Sequence, residues 1–368
     1  MRRSPVAHAH PLDGVDLRPR VQRALDDHLA HQREVLAELG APMGPLVDAV
    51  ADLLAGGKRL RAAFLYWGWR AAGRPDDEAA VRAASSMEVF QAAALLHDDV
   101  MDNSDRRRGR PTAHRAFATQ HRGQAWNGDP ERFGHAAAIL AGDLCLNWTD
   151  ELFSTSGLPV DALTRARPEF DRMRTQLMGG QFLDMLEAVV GWADLGYAER
   201  VERSRTVIRY KSARYSVQQP LLVGARAGDA GPGLLAALAE YGAQLGEAFQ
   251  LRDDVLGVFG DPGHTGKPAG DDLREGKHTV LVAHALELAD EPGAELLAAS
   301  LGDPDLDEAT VEACRRVLRD SGALARTEEM IDAAARASLE ALGSAPDLDD
   351  VAAAALAELV VICTDRHL

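Results

Sequence analysis

A chain of 368 residues with 46% hydrophobic and 26% charged side chains can bury a large core, which excludes intrinsic disorder. Its formal charge of −17 excludes a general affinity for nucleic acid or anionic lipid, so any phosphate chemistry must be local. Cys145, Cys314 and Cys363 are far apart, with no metal or disulfide-framework spacing, and fit a reducing, cytoplasmic setting.

Apolar residues recur every three or four positions, a period that predicts an all-α fold. Residues 1–18 precede the pattern and read as a flexible N-terminal extension without a signal-peptide core. No run reaches the ~18 apolar residues that a stable membrane insertion requires. No linker or low-complexity tract divides the rest, so one domain over 1–368 is expected. Helices are expected over about 21–39, 46–54 and 60–72. In Gly56-Gly57-Lys58-Arg59-Leu60-Arg61, Lys58 and Arg61 stand three apart at a helix start, where both can face one anion.

The next expected helix, 77–101, leads into His97-Asp98-Asp99-Val100-Met101-Asp102. Asp98 and Asp102 project one turn apart from one face, repel each other and oppose the helix dipole. Mg2+ would offset that repulsion and keep positions open for water and phosphate oxygens. A lone acid pair is more often a solvated helix end, and His97 beside it reads as a packing or hydrogen-bonding residue. The polar stretch 105–129 reads as a lid or binding loop carrying Arg107 and Arg108, whose planar forks suit phosphate. Helices are then expected over 136–154, 163–190, 197–226 and 234–259. The last ends in a second acid cluster at Asp253-Asp254, and two clusters suggest one metal site seen from two sides. Lys211 with Ser212, Lys267 and Lys277 are further phosphate candidates, the last two in the polar stretch 260–278; Thr265-Gly266-Lys267 lacks nucleotide phosphate-loop spacing. Helices over 279–288, 308–321, 323–342 and 348–364 complete the pattern.

GGKRLR at Gly56, HDDVMDNSDRRRGRPT at His97, GGQFLD at Gly179, YKSARYS at Tyr210 and FQLRDDVLGVFGDPGHTGKPAGDDLREGKHT at Phe249 resemble, in kind and order, the trans-isoprenyl diphosphate synthases or polyprenyl synthetases. The resemblance covers about residues 56–279. It implies a single large helical bundle of the isoprenoid synthase type with a central substrate cavity, a homodimer, and Mg2+ as cofactor with three ions per site. It implies that Asp98 and Asp102 bind two ions with Asp99 in support, that Asp253 holds a third with Asp254 beside it, and that Asp184 lies near the metals. Lys58, Arg61, Gln91 and Arg108 would form the isopentenyl diphosphate site; Arg107, Lys211, Ser212, Gln250, Lys267 and Lys277 would form the allylic diphosphate site. The implied catalytic set is Asp98, Asp102, Arg107, Lys211, Asp253 and Lys267. Gly257 stands where the family usually carries an acid, which predicts weakened support around the metal with activity retained; the segment 121–135 is longer than in many members.

The implied reaction is ionisation, condensation and elimination: the allylic diphosphate departs, the isopentenyl double bond attacks, and the released diphosphate takes a proton. No Ser/His/Asp or Cys/His set is needed. Ala93 and Ala94 stand one turn before Asp98, and Phe90 one turn further, about 12 Å away at ~1.5 Å per residue. Phe90 is therefore the expected tunnel floor and geranylgeranyl diphosphate the expected product, from dimethylallyl, geranyl or farnesyl starters. A farnesyl or longer product, a terpene cyclase or squalene/phytoene-type synthase, and a non-catalytic regulatory subunit are the alternatives. The grip at Lys58 and Arg61 argues against the cyclases, and the intact Asp98, Asp102, Lys211 and Lys267 argue against the subunit.

Overall fold

The structure, a computed structural model, describes residues 10–192, 194–260 and 270–365. They divide into two units. The first takes the described residues of Met1–Ala166 with Val223–Ala230 and Asp349–Ala355. It holds α1 (Leu17–Ala37), α2 (Gly44–Leu54), α3 (Leu60–Ala71), α4 (Glu78–Met101), a hairpin of β1 (Arg106–Arg107) and β2 (Arg110–Pro111), α5 (Ala113–Gly123) and α6 (Pro130–Ser154). A helix that is apolar all round belongs in a core. In α4, Val81, Ala84, Met87, Phe90, Ala93 and Leu96 are each at most 1% exposed, and the helix packs on α1, α3 and α6. Asp77 caps its start by accepting from the Ala79 amide at 2.8 Å.

The second unit takes the described residues of Arg167–Leu222, Gly231–Leu348 and Leu356–Leu368. It contains most of α7 (Val160–Val190), then α8 (Tyr197–Val207), a π-helical segment (Ile208–Gln218) and the start of α9 (Gln219–Ala227). There follow α10 (Pro232–Phe259), α11 (Asp271–Arg274), α12 (Val280–Leu288), α13 (Glu291–Ser300), α14 (Glu308–Asp320), α15 (Ala323–Gly343) and the end of α16 (Asp350–Thr364). Here α10 is the central helix. Leu238, Tyr241, Leu245, Leu251 and Val255 are wholly buried, and the Tyr241 hydroxyl donates to the Leu356 carbonyl at 2.8 Å.

Apart from the hairpin, the described residues form helices, turns and bends, as the periodicity predicts. Of the five passages of the chain between the two units, three lie inside α7, α9 and α16, where no linker composition can mark a boundary. The described part of 1–18 is not a free extension: Leu12 is wholly buried and Trp67 Nε1 donates to the Pro11 carbonyl at 2.9 Å. The stretch 105–129, expected as a loop, contains α5, which buries His114, Phe117, Ala118 and His121 at helical spacing. Next, α6 starts at Pro130 with Asp129 as its cap. The helix expected over 197–226 is interrupted by the π-helical segment, and α13 has no expected counterpart. The three cysteines are buried, and no helix among the described residues is long and apolar enough to cross a membrane.

Candidate active site

In the first unit, α4 carries the acid cluster at its end. The Asp102 amide donates to the Asp98 carbonyl at 2.8 Å, and both side chains are partly exposed. Asp99, one residue round the helix, is 2% exposed and held by Arg107, whose Nη2 lies 2.7 Å from Asp99 Oδ1 and 3.4 Å from Asp98 Oδ2. One guanidinium thus offsets the repulsion between neighbouring carboxylates. The hairpin brings Arg107 there. Its turn residues Arg108 and Gly109 have φ of 51° and 75°, as a two-residue I′ turn requires. His97 turns the other way, with Nε2 3.2 Å from the Ile139 carbonyl oxygen; a Cβ on Gly142 would come within 2.4 Å of that nitrogen. It packs, as expected.

The glycine turn before α3 coils through left-handed conformations, with φ of 78° at Gly56, 99° at Gly57 and 57° at Arg59. Lys58 is exposed and Arg61 partly exposed, whereas Arg59 is buried. Arg108 lies against this turn, its Nη2 3.6 Å from where a Gly57 Cβ would be. Partial desolvation, then the charges of Arg107 and Arg59, hold the Arg108 pKa below its ordinary value, with Glu88 opposing them. Guanidinium groups close enough to disfavour one another's charge form a setting that an anion relieves. On α4, Gln91, Ala94 and Asp98 share a partly exposed face. Phe90 and Ala93, 1% and 0% exposed, belong to the packed core.

In the second unit, the wide coil of the π-helical segment is accommodated by glycines on the helices that flank it. A Cβ on Gly180 of α7 would stand 2.4 Å from the Tyr210 carbonyl carbon. On α10, one on Gly242 would stand 2.6 Å from Gln218 Cα and one on Gly246 2.7 Å from the Ala213 carbonyl oxygen. Such π-helical turns recur at functional sites. This one carries Lys211, paired with Asp184 of α7, and Ser212, which donates to Gln250 Oε1. Gln250 Nε2 in turn donates to Asp254 Oδ1 at 2.7 Å.

Burial, then the charge of Asp272, pushes the Asp254 carboxyl up to about 8, against the Gln250 hydrogen bond. A buried carboxyl that retains its proton is a poor metal ligand. Asp254 is buried and held by Gln250, whereas Asp253, partly exposed, is the accessible acid of this cluster. The position of the missing acid is filled from elsewhere. A Cβ on Gly257 would lie 1.8 Å from Asp272 Oδ2, so a carboxylate of α11 already occupies that space, with Lys277 Nζ 3.0 Å from its other oxygen.

Within the first unit the structure gathers Asp98, Asp99 and Arg107, and places Arg108 beside the Lys58–Arg61 turn. Within the second it links Lys211 with Asp184, Ser212 with Gln250 and Asp254, and Lys277 with Asp272. Lys267 lies outside the described residues. Sequence reasoning missed Asp272, Arg59 and Glu88; the available signal for Glu88 is an acid inside an otherwise apolar helix. Two accessible carboxylates one turn apart suit Mg2+, which takes oxygen ligands and keeps several waters. Among the described residues no three His, Cys, Asp or Glu side chains form a metal-holding group.

A family model described as polyprenyl synthetase matches residues 45–318. The geranylgeranyl diphosphate synthase of Methanosarcina mazei is 34% identical over 306 residues, covering 83% of this chain and 82% of that protein. The geranylfarnesyl diphosphate synthase of Aeropyrum pernix is 34% identical over 274 residues, covering 73% of this chain and 78% of that protein. Among solved structures, a geranylgeranyl pyrophosphate synthase from Corynebacterium glutamicum, complexed with isoprenyl diphosphate and magnesium, superposes with a TM-score of 0.89 at 39% identity, covering 95% of this chain and 99% of that one.

Proposed function

The chain belongs to the polyprenyl synthetase family, and from that premise we propose that it condenses isopentenyl diphosphate with dimethylallyl, geranyl or farnesyl diphosphate to give mainly geranylgeranyl diphosphate. The observation that carries the reading is that both acid-bearing helix ends keep an accessible aspartate: Asp98, beside Arg107 of its own unit, and Asp253 near the end of α10, where Asp272, paired with Lys277, lies against Gly257. Asp98, Asp102 and Asp253 would hold Mg2+, three ions per site, which when bound neutralises the diphosphate and eases its departure. Arg107, Lys211, Lys267 and Lys277 bind and orient the allylic diphosphate. Lys58, Arg61, Gln91 and Arg108 hold the isopentenyl diphosphate. These preorganised charges stabilise the leaving anion without a side-chain nucleophile. Ala94 and Leu95 present apolar surface just before Asp98 and keep water from the allylic carbon.

Product length rests on the small Ala94 at the accessible face and on Phe90, packed about 12 Å further along α4. Phe90→Ala is expected to lengthen the product; an unchanged product removes Phe90 from the argument. Labelled isopentenyl diphosphate with each starter and Mg2+, followed by chromatography, tests the whole reading. Geranylgeranyl diphosphate is the expected product, whereas a hydrocarbon, or no turnover by the purified chain, refutes it. Ile139 and Leu140, 43% and 56% exposed on α6, support a homodimer, which sedimentation measures. Three buried cysteines, far apart in the sequence and without disulfide-framework spacing, support a cytoplasmic setting.

A further inference from the structure

Arg59 belongs to the glycine turn that presents Lys58 and Arg61, yet it points inward. At φ 57° it occupies a backbone region that costs a non-glycine residue on the order of 1 kcal/mol or more. Its guanidinium is 5% exposed, donates to the Leu54 carbonyl and to Gln22 Oε1, and meets Glu88 Oε2 at 3.4 Å. Glu88, 8% exposed on α4, commits both oxygens to this turn: Oε1 accepts from the Ala62 amide at 3.1 Å. Ala62 lies in the first turn of α3, where backbone N–H groups lack an intrahelical acceptor. One carboxylate therefore ties down the left-handed residue and the helix start that follows it. It does so from the helix that also carries Gln91, one turn on, and Asp98.

A buried ion pair is weak as a source of stability, because desolvation offsets most of the attraction. What the pair supplies is position. We infer that the buried Glu88–Arg59 pair is a positioning device that fixes where Lys58 and Arg61 present their charges to the isopentenyl diphosphate, relative to Gln91 on α4. The inference rests on reading Lys58 and Arg61 as that substrate's grip, and it deepens that reading by assigning two residues that touch no substrate. Arg108, against the same turn and sensing both Arg59 and Glu88, takes its place from the same pair.

The test uses the full chain, with calorimetric titration of isopentenyl diphosphate and KM for both substrates. Glu88→Gln keeps an acceptor for the Ala62 amide and removes the charge. It is expected to raise the isopentenyl diphosphate Kd and KM about tenfold, with allylic KM and kcat within about twofold. Arg59→Lys keeps a cation that reaches Glu88 and is expected to recover much of that affinity, while Lys58→Ala sets the scale of losing a direct contact. A folded Glu88→Gln with isopentenyl affinity within about twofold of the wild type, alongside a weakened Lys58→Ala, overturns the inference. So do equal changes in the constants of both substrates, the mark of a merely structural role. Unaltered affinity in Lys58→Ala overturns the reading of the grip itself, and the inference with it. Should circular dichroism show Glu88→Gln unfolded, Arg59→Gln, judged by the same criteria, decides.

Discussion

A glycine inside a helix is normally an opportunity, since alanine gains roughly 1 kcal/mol over it. Gly257, near the end of α10, should behave in the opposite sense. The added Cβ would lie 1.8 Å from Asp272 Oδ2 and 2.5 Å from its Cγ, far inside contact distance. Making room moves Asp272 off α10 and disturbs its 3.0 Å pair with Lys277. Overpacking a filled site costs about 1–3 kcal/mol; with a clash this deep the upper half applies, leaving Gly257→Ala about 1–2 kcal/mol less stable after the helix gain. Thermal unfolding and urea titration read the sign directly. In an Asp272→Ala background the obstacle is gone, so the same substitution should stabilise, giving a coupling of about 2–3 kcal/mol in the double-mutant cycle. If Gly257→Ala raises the unfolding midpoint of the otherwise native chain, the crowding argument is wrong. Gly257→Asp, which restores the family's usual acid, should lower turnover, because two carboxylates would compete for one place.

Other expectations follow from the same geometry. Asp98→Asn and Asp102→Asn should each cut kcat about a hundredfold or more without loss of helicity, measured with labelled isopentenyl diphosphate. Gly246→Ala should cost about 1–3 kcal/mol and raise the allylic KM, because its Cβ meets the Ala213 carbonyl oxygen, a backbone atom, at 2.7 Å and would shift Lys211; an unchanged urea midpoint would refute this. Burial lowers both His114 and His284 to about 4. Between pH 6.5 and 4 these two histidines bind fewer protons in the native state than in the unfolded chain, so their contribution to stability should fall as the pH drops through that window and stay level above it, while the raised Asp254 carboxyl acts in the opposite sense, its contribution falling as the pH rises towards 8. His114 has no hydrogen-bond partner for either ring nitrogen, and His114→Phe should flatten the decline of the urea midpoint.

The aspartates proposed to hold the metal are legible in the sequence, because like charges at helical spacing require a compensating partner. Which member of each Asp-Asp pair is accessible follows from the 100° step between neighbouring helix residues. Asp98 and Asp253 stay partly exposed while Asp99 and Asp254 turn into the protein. The pattern of α5 is also present, at His114, Phe117, Ala118 and His121. It escapes notice because two of its four buried positions are histidines, which count as polar in a periodicity search.

What the sequence withholds is set by partners distant along the chain. The π-helical segment is only 11 residues long, too few turns for a hydrophobic period to distinguish it from an ordinary helix, and its determinants are Gly180, Gly242 and Gly246 on other helices. In the same way Gly257 reads as a lost acid until Asp272 is seen in its place, and nothing in the motif assigns Arg59 a task until Glu88 is found beside it. Local motifs mark the groups proposed to meet the substrate because their residue types are chemically constrained. The groups that place them are constrained by volume and charge at one tertiary contact. A substitution that looks favourable in the motif, such as Gly257→Asp, is therefore predicted to fail for a reason visible only in the packing of α11 against α10.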